Sequence, residues 1–249
     1  MTIGGVALAG MALIGLAACD GNNPANGGED TAVEDASSAT DTTTVADSTP
    51  LDTALPDVGV QNENKDLRNG ITVRIGHIVD GDTFDVWVGT FAPRKYIIRM
   101  AGLSAPECLK DFVSDNWGGG DACTSDDELY GLASYQALLA MLTDKTVVLS
   151  CDVPSGDWCK TDVYGRYIAY VAVDGKDAAT EMARGGNGFS YVEFASSKRG
   201  DICRAELEAK NAKRGLWALG DLNYIMAHMP NTSGWYLRDH DSKCKSAMN

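Results

Sequence analysis

The sequence predicts an α+β fold: a small closed barrel of five short strands with three helices, preceded by a leader and a long tether. Three observations carry this. Short runs rich in β-branched and aromatic residues recur between 71 and 103, at 146–151 and at 167–173, separated by turn residues. Helical spacing of apolar residues falls between the third and fourth of these runs and again after the fifth. Residues 20–69 lack the aromatic and long apolar clusters that a core requires.

Taken in order, Ile71 to Val79 and Phe84 to Val88 read as two strands around the turn Asp80-Gly81-Asp82-Thr83. Asp-Gly supplies the positive φ angles of a tight hairpin connection. Carboxylates at Asp80, Asp82 and Asp85 would equally suit a hard cation, which binds oxygen ligands gathered at strand ends. Lys95 to Leu103 is the third strand, and the polar stretch Ser104 to Thr124 reads as a long loop. Ser125-Asp126-Asp127-Glu128 has the form of a capping box, with Leu129, Leu132, Ala133, Gln136, Leu139 and Ala140 following at helical spacing to about Leu142. Thr146 to Cys151 and Tyr167 to Val173 are the fourth and fifth strands, the latter closing on the turn Asp174-Gly175. A short helix from Ala178 to Arg184 stops at Gly185 and Gly186, and a last one from Asp201 to Arg214 stops at Gly215. Leu216 and Trp217 are expected to fold back on the core. This pattern describes a five-stranded barrel of the oligonucleotide-binding type, and its length of about 150 residues suffices for a core of its own.

The first 18 residues are uncharged and apolar, ending in small residues before Cys19. They have the shape of a secretory signal. Leu16-Ala17-Ala18-Cys19 resembles a bacterial lipobox, which implies lipidation of Cys19, although no Lys or Arg precedes the apolar run. Residues 19–69 read as a disordered acidic linker. Of the formal net charge of −14, residues 20–69 carry −9 and residues 70–249 carry −5, so whole-chain acidity does not exclude a nucleic-acid partner. Six cysteines remain: Cys108, Cys123, Cys151, Cys159, Cys203 and Cys244. Their pairing is open in sequence, and sequential pairing is the simplest expectation. Their spacing, and that of His77, His228 and His240, fits no structural zinc site.

Three short motifs stand in chain order: Val79-Asp80-Gly81-Asp82-Thr83, Arg99 through Ala105-Pro106-Glu107, and Asp162-Val163-Tyr164-Gly165-Arg166. With the closing Gly215-Leu216-Trp217, the chain from Val73 to Trp217 resembles the staphylococcal nuclease (thermonuclease) family. The chemistry suits these residue types, since two guanidiniums can neutralise a five-coordinate phosphorus and a carboxylate can take the proton of the attacking water. The resemblance implies Arg99 and Arg166 as phosphate clamps and Glu107 as general base. It implies Asp82 as a calcium ligand, Ala105 as a backbone ligand, and Asp80 and Thr83 as shaping neighbours. Tyr164 and Tyr191 would contact substrate.

One position departs from the pattern. Ser104 stands where the family has a second calcium-binding Asp, so Ca2+ binding is expected to be weakened, because affinity follows ligand charge. The function expected from the resemblance is that of a calcium-assisted endonuclease hydrolysing single-stranded DNA, and RNA with it, to 3′-phosphate ends, as a monomer lipid-anchored in the cell envelope on the periplasmic or extracellular face. The alternative is a catalytically inactive nuclease-like domain that binds nucleic acid or protein. Residues 218–249 are expected to be an extension, informative only through Cys244.

Overall fold

The computed structural model describes residues 67–89, 93–114 and 119–249. The leader, Cys19 and the linker up to residue 66 lie outside the described residues. In chain order the strands and helices are β1 (Ile71–Ile78), β2 (Thr83–Val88), β3 (Arg94–Met100), β4 (Leu103–Ser104), β5 (Cys108–Val113), β6 (Gly120–Asp126), α1 (Gly131–Leu142), β7 (Thr146–Ser150), β8 (Tyr167–Val173) and β9 (Lys176–Asp177). There follow α2 (Ala178–Gly185), β10 (Phe189–Ser190), α3 (Arg199–Asn211), a 3-10 turn (Gly215–Ala218), α4 (Leu222–Ala227), α5 (Pro230–Tyr236) and α6 (His240–Met248).

The five expected strands form the barrel. They run in the order β3-β2-β1-β7-β8, all neighbours antiparallel, and a parallel pairing of β3 with β8 closes the ring. Alternate residues point inward, so Val73, Ile75, Val86, Ile98, Met100, Val147, Leu149, Ala169 and Val171 meet Leu138, Leu142 and Met182 of the covering helices. Leu67, placed by sequence in the linker, is fully buried in this core. The register of β1 against β2 shifts between Ile75 and Ile78. Asp85 fills that irregularity: its Oδ1 accepts the His77 amide at 2.6 Å, and its Oδ2 meets Lys95 at 3.2 Å. A Cβ on Gly76 would lie 2.1 Å from the same carboxylate, so Gly76 is required by close approach. Asp85 is therefore structural, separate from Asp80 and Asp82.

Three expectations are corrected. The stretch Ser104 to Thr124 is not a plain loop, because β5 and β6 pair within it as an antiparallel hairpin stapled by Cys108–Cys123. The capping box does not cap. Helix α1 starts later, after Tyr130 in the left-handed region, and it is Asp126 Oδ1 that accepts the Leu132 amide, at 2.7 Å. Finally, residues 218–249 carry three further helices that pack on the domain around Phe189, Trp217, Ile225, Met229 and Tyr236. The cysteines pair sequentially, with Cys151–Cys159 and Cys203–Cys244 completing the set; Cα separations of 5.4 to 5.7 Å suit disulfides.

Beside Cys203–Cys244 lies a buried charge network. Glu206 of α3 accepts the Ser190 amide at 2.8 Å and the Tyr236 hydroxyl at 2.9 Å, and meets Lys210 at 3.0 Å and His240 at 3.2 Å. His240 stacks on Tyr236 with ring centroids 3.9 Å apart. Glu206, His240 and Cys244 are close enough to suggest a metal centre, yet the Cys244 sulfur is spent in a disulfide and the Glu206 oxygens are engaged.

Burial alone would raise the Glu206 carboxyl, but His240, Lys210 and the Ser190 amide outweigh it and lower its pKa from 4.5 to about 2. A carboxyl depressed on folding stabilises the native state above its unfolded pKa, and that contribution is lost as pH falls through the folded one. Acid unfolding followed by circular dichroism should show stability declining between pH 4.5 and about 2. Glu206→Gln should flatten that part of the profile while weakening the fold at neutral pH; an unchanged slope would remove Glu206 as the cause.

Candidate functional site

The acidic turn between β1 and β2 is held by the Val79 and Asp80 amides, which both donate to the Thr83 carbonyl, at 2.9 and 3.2 Å. Gly81 is not in the left-handed region, against the expectation of a positive φ. It is glycine because α1 comes too close, since a Cβ there would lie 2.2 Å from Ser134 Oγ and 2.6 Å from the Ala105 Cβ. The tight turn thereby brings the buried carboxylates of Asp80 and Asp82 against the chain that leaves β4.

Every oxygen of that carboxylate pair has a protein donor. Asp82 Oδ2 accepts the Ala105 amide at 2.6 Å and meets Arg99 Nη1 at 2.9 Å, while its Oδ1 accepts the Thr83 hydroxyl at 3.0 Å. Asp80 Oδ1 accepts the Asp82 amide at 3.0 Å, and its Oδ2 meets Lys110 Nζ at 3.1 Å. Burial raises the Asp82 pKa to about 7 against the pull of Arg99, with Asp80 adding to the rise. Asp80 goes the other way, because Lys110, the Asp82 amide and Arg99 outweigh its burial. For Lys110, burial would lower the pKa, but Asp80 and Glu107 hold it above the usual lysine value.

Arg99 projects from β3 opposite Thr83, and its Nη1 also donates to the Leu103 carbonyl at 2.8 Å. Arg166 enters β8 from the turn at Asp162 to Gly165, where Gly165 has φ 79° and a larger residue would be strained. Asp162 organises this turn. Its Oδ1 accepts the Tyr164 and Arg166 amides at 2.9 and 3.0 Å, and its Oδ2 accepts Arg166 Nε at 2.8 Å, leaving the terminal amines of the fork outside that contact. Burial opposes ionisation of Asp162, but these Arg166 contacts prevail and lower its pKa. In the parallel register Arg99 lies beside Ile168, two residues after Arg166, so both arginines share the outer face of the barrel. Tyr164 is 80% exposed, with the Arg166 guanidinium 5.3 Å from its ring centre.

Glu107 follows Pro106 with its carboxylate half exposed, and Oε2 lies 3.3 Å from Lys110 Nζ. Its backbone is gripped on both sides by Glu128. The Glu107 amide donates to Glu128 Oε2 at 3.0 Å, and the Glu128 amide donates to the Glu107 carbonyl at 2.9 Å. Glu128 is in turn fixed by the extension, accepting the Asn231 and Thr232 amides at 2.7 and 3.0 Å and the Thr232 hydroxyl at 2.8 Å. Gly131 completes the fit, since a Cβ there would lie 2.1 Å from the Glu107 carbonyl oxygen.

Of the residues expected from sequence, Asp82, Ala105 and Arg99 are in direct contact, and Ser104 is buried next to Ala105. Glu107 is linked to Asp80 through Lys110, while Arg166 and Tyr164 stand on the neighbouring strand end. Tyr191 donates its amide to the Gly102 carbonyl at 2.8 Å, beside β4, and its ring packs with Phe194 and Trp235 at centroid distances of 5.8 and 5.1 Å. Sequence reading missed Lys110, hidden in the supposed loop, and Glu128 and Thr232, whose partners are 104 residues apart. The one signal for Lys110 was its place between two cysteines able to staple a hairpin.

As a calcium site this donor set fits poorly. Such a site gathers six to eight oxygens. Here both carboxylates already carry a cationic partner, at 2.9 and 3.1 Å, Ala105 offers Asp82 its amide, and Ser104 adds no charge. What the arrangement offers without an added ion is two guanidiniums on one face of the paired strands β3 and β8, suited to an anion, and a half-exposed carboxylate at Glu107.

A family model described as staphylococcal nuclease homologue matches residues 97–219, a span that holds Arg99, Glu107 and Arg166. An uncharacterized protein of Bacillus anthracis is 30% identical over 148 residues, covering 59% of this chain and 60% of that protein. Probable staphylococcal-like nuclease CAN3 of Oryza sativa subsp. japonica is 29% identical over 51% of this chain and 27% of its own length. Endonuclease YncB of Bacillus subtilis (strain 168) is 27% identical over 62% of this chain and 65% of its own. The chain thus spans between about a quarter and two thirds of these relatives.

The grip on Glu128 yields a stability prediction. Thr232→Val removes a hydroxyl donor to a buried carboxylate and should cost about 1.5 to 3 kcal/mol. Urea unfolding of the variant checks this, and an unchanged midpoint would show that the extension does not hold Glu128.

Proposed function

We propose that the chain, whose residues 97–219 match the family described as staphylococcal nuclease homologue, is a nuclease hydrolysing single-stranded DNA or RNA. One observation supports the reading: Arg99 and Arg166 share one face of the paired strands β3 and β8, and the half-exposed Glu107 is tied through Lys110 to Asp80 in the turn whose Asp82 holds Arg99.

In the proposed reaction the terminal amines of Arg166 take the phosphate oxygens in a fork and the exposed Tyr164 flanks them. Arg99, anchored by Asp82 and the Leu103 carbonyl, presents the second guanidinium. Glu107 accepts a proton from water as the water oxygen bonds to phosphorus. The P–O5′ bond breaks, the departing 5′ oxygen takes a proton from solvent, and a 3′-phosphate end remains. No step is routed through calcium, because the residues present do not suit it. An exposed Tyr164 and an open barrel end favour strands whose bases are free to stack.

We further place the protein as a monomer exported to the cell envelope and held by a lipid on Cys19, facing the periplasm or the outside. Three disulfides suit an oxidising compartment.

Glu107→Gln and Arg166→Ala should each slow cleavage of denatured DNA about a hundredfold or more, the cost of one preorganised charge. Wild-type rates in both variants would end the assignment. Binding without cleavage by the wild type would instead support a second reading, a nuclease-like module that binds nucleic acid or protein, which the neutral Ser104 favours. For the anchor, cells expressing the chain should incorporate labelled palmitate, and Cys19→Ala should abolish the label; a labelled Cys19→Ala protein would move the lipid elsewhere.

A further inference from the structure

We propose that Lys110 is the resident cation of this site, its ammonium contacting the scissile phosphate and replacing a divalent ion in stabilising the charge that develops there. The inference rests on the nuclease reading and specifies what neutralises the phosphate.

The position is built by two separate segments, the turn before β2 and residues 107–110. Asp80 comes from the turn before β2, Glu107 from the chain after β4, and Lys110 from β5, yet Lys110 Nζ lies 3.1 Å from Asp80 Oδ2 and 3.3 Å from Glu107 Oε2. These two contacts use two of the three ammonium protons. The third remains for a phosphate oxygen, and the side chain keeps 28% exposure, so the charge is reachable from solvent. Glu107, the proposed base, is thereby tied to the same cation that would draw the phosphate toward it.

The strand that delivers Lys110 is fastened at the place where it matters. In the hairpin register Lys110 lies opposite Cys123, and Cys123 is bonded to Cys108, the residue directly after Glu107. Base and cation thus sit on either side of one covalent staple. The charge balance points the same way. Relative to the calcium pattern, Ser104 removes a negative charge and Lys110 adds a positive one beside Asp80, a shift of two units against a divalent ion. Like charges within about 3 to 4 Å repel strongly where burial lowers the effective dielectric constant.

The test uses the full chain and a fluorophore-labelled single-stranded oligonucleotide, in excess chelator and in millimolar calcium, with calorimetric titration of calcium in parallel. Expected are equal wild-type rates in both buffers and no calcium binding heat. Lys110→Met should be about a hundredfold slower in chelator, the scale of losing one preorganised charge, while Lys110→Arg keeps most of the rate. Calcium binding should appear when Lys110→Met is combined with Ser104→Asp. Thermal melts establish that the variants are folded, and the wild-type calorimetry and chelator assays decide independently of them. A wild type that needs calcium, or binds it as tightly as the double variant, overturns the inference and leaves the nuclease reading intact. So does a Lys110→Met variant that cleaves at the wild-type rate in chelator. A wild type that cleaves in neither buffer overturns both readings.

Discussion

The parallel pairing of β3 with β8 is the contact on which the site depends. Every other neighbour in the barrel is antiparallel, whereas this pairing joins Ile98 to Tyr167, Arg99 to Ile168 and Met100 to Ala169 across almost seventy residues. Parallel neighbours require a crossover connection. Here the crossover contains the stapled hairpin, α1 and β7, which is why the hairpin and α1 are available to deliver Lys110 and Ser134 to the acidic turn. The inward residues of both strands are buried, so the register that aligns the two arginines is set by core packing, and any slip would turn the arginines inward.

Buried carboxylates are costly unless fully hydrogen-bonded. This protein spends them at junctions. Asp85 repairs an irregularity between β1 and β2, while Glu206 joins β10, α3 and the extension. Glu128 connects the backbone of Glu107 to residues more than a hundred positions later. The extension is consequently part of the scaffold that orients Glu107, and a disulfide from α3 to α6 fastens its far end.

Asp80 and Asp82 differ from these structural acids because they are adjacent in one turn, each with its own cationic partner. Burial and mutual repulsion make two adjacent carboxylates unstable as a bare pair, and Arg99 and Lys110 answer one each. Positive side chains thus stand beside the acidic turn, and Glu107 is left half exposed.

Much of this was legible in the sequence. Alternating apolar residues marked all five barrel strands, and Gly186 and Gly215 marked chain reversals that close approach of their backbones enforces. The family resemblance of three short motifs pointed to Arg99, Asp82, Ala105, Glu107 and Arg166, and the turn before Arg166 is encoded by its neighbours Asp162 and Gly165. The hairpin escaped notice because exposed strands such as β5 lack a buried face to impose alternation. The capping box misled because Glu128 turned to Glu107 and Thr232, a competition that no local pattern displays. Local chemistry therefore determined which residues could act. Tertiary packing alone decided that Lys110 meets Asp80, since a contact between segments thirty residues apart has no signature in either of them, whereas its contact with Glu107 is local.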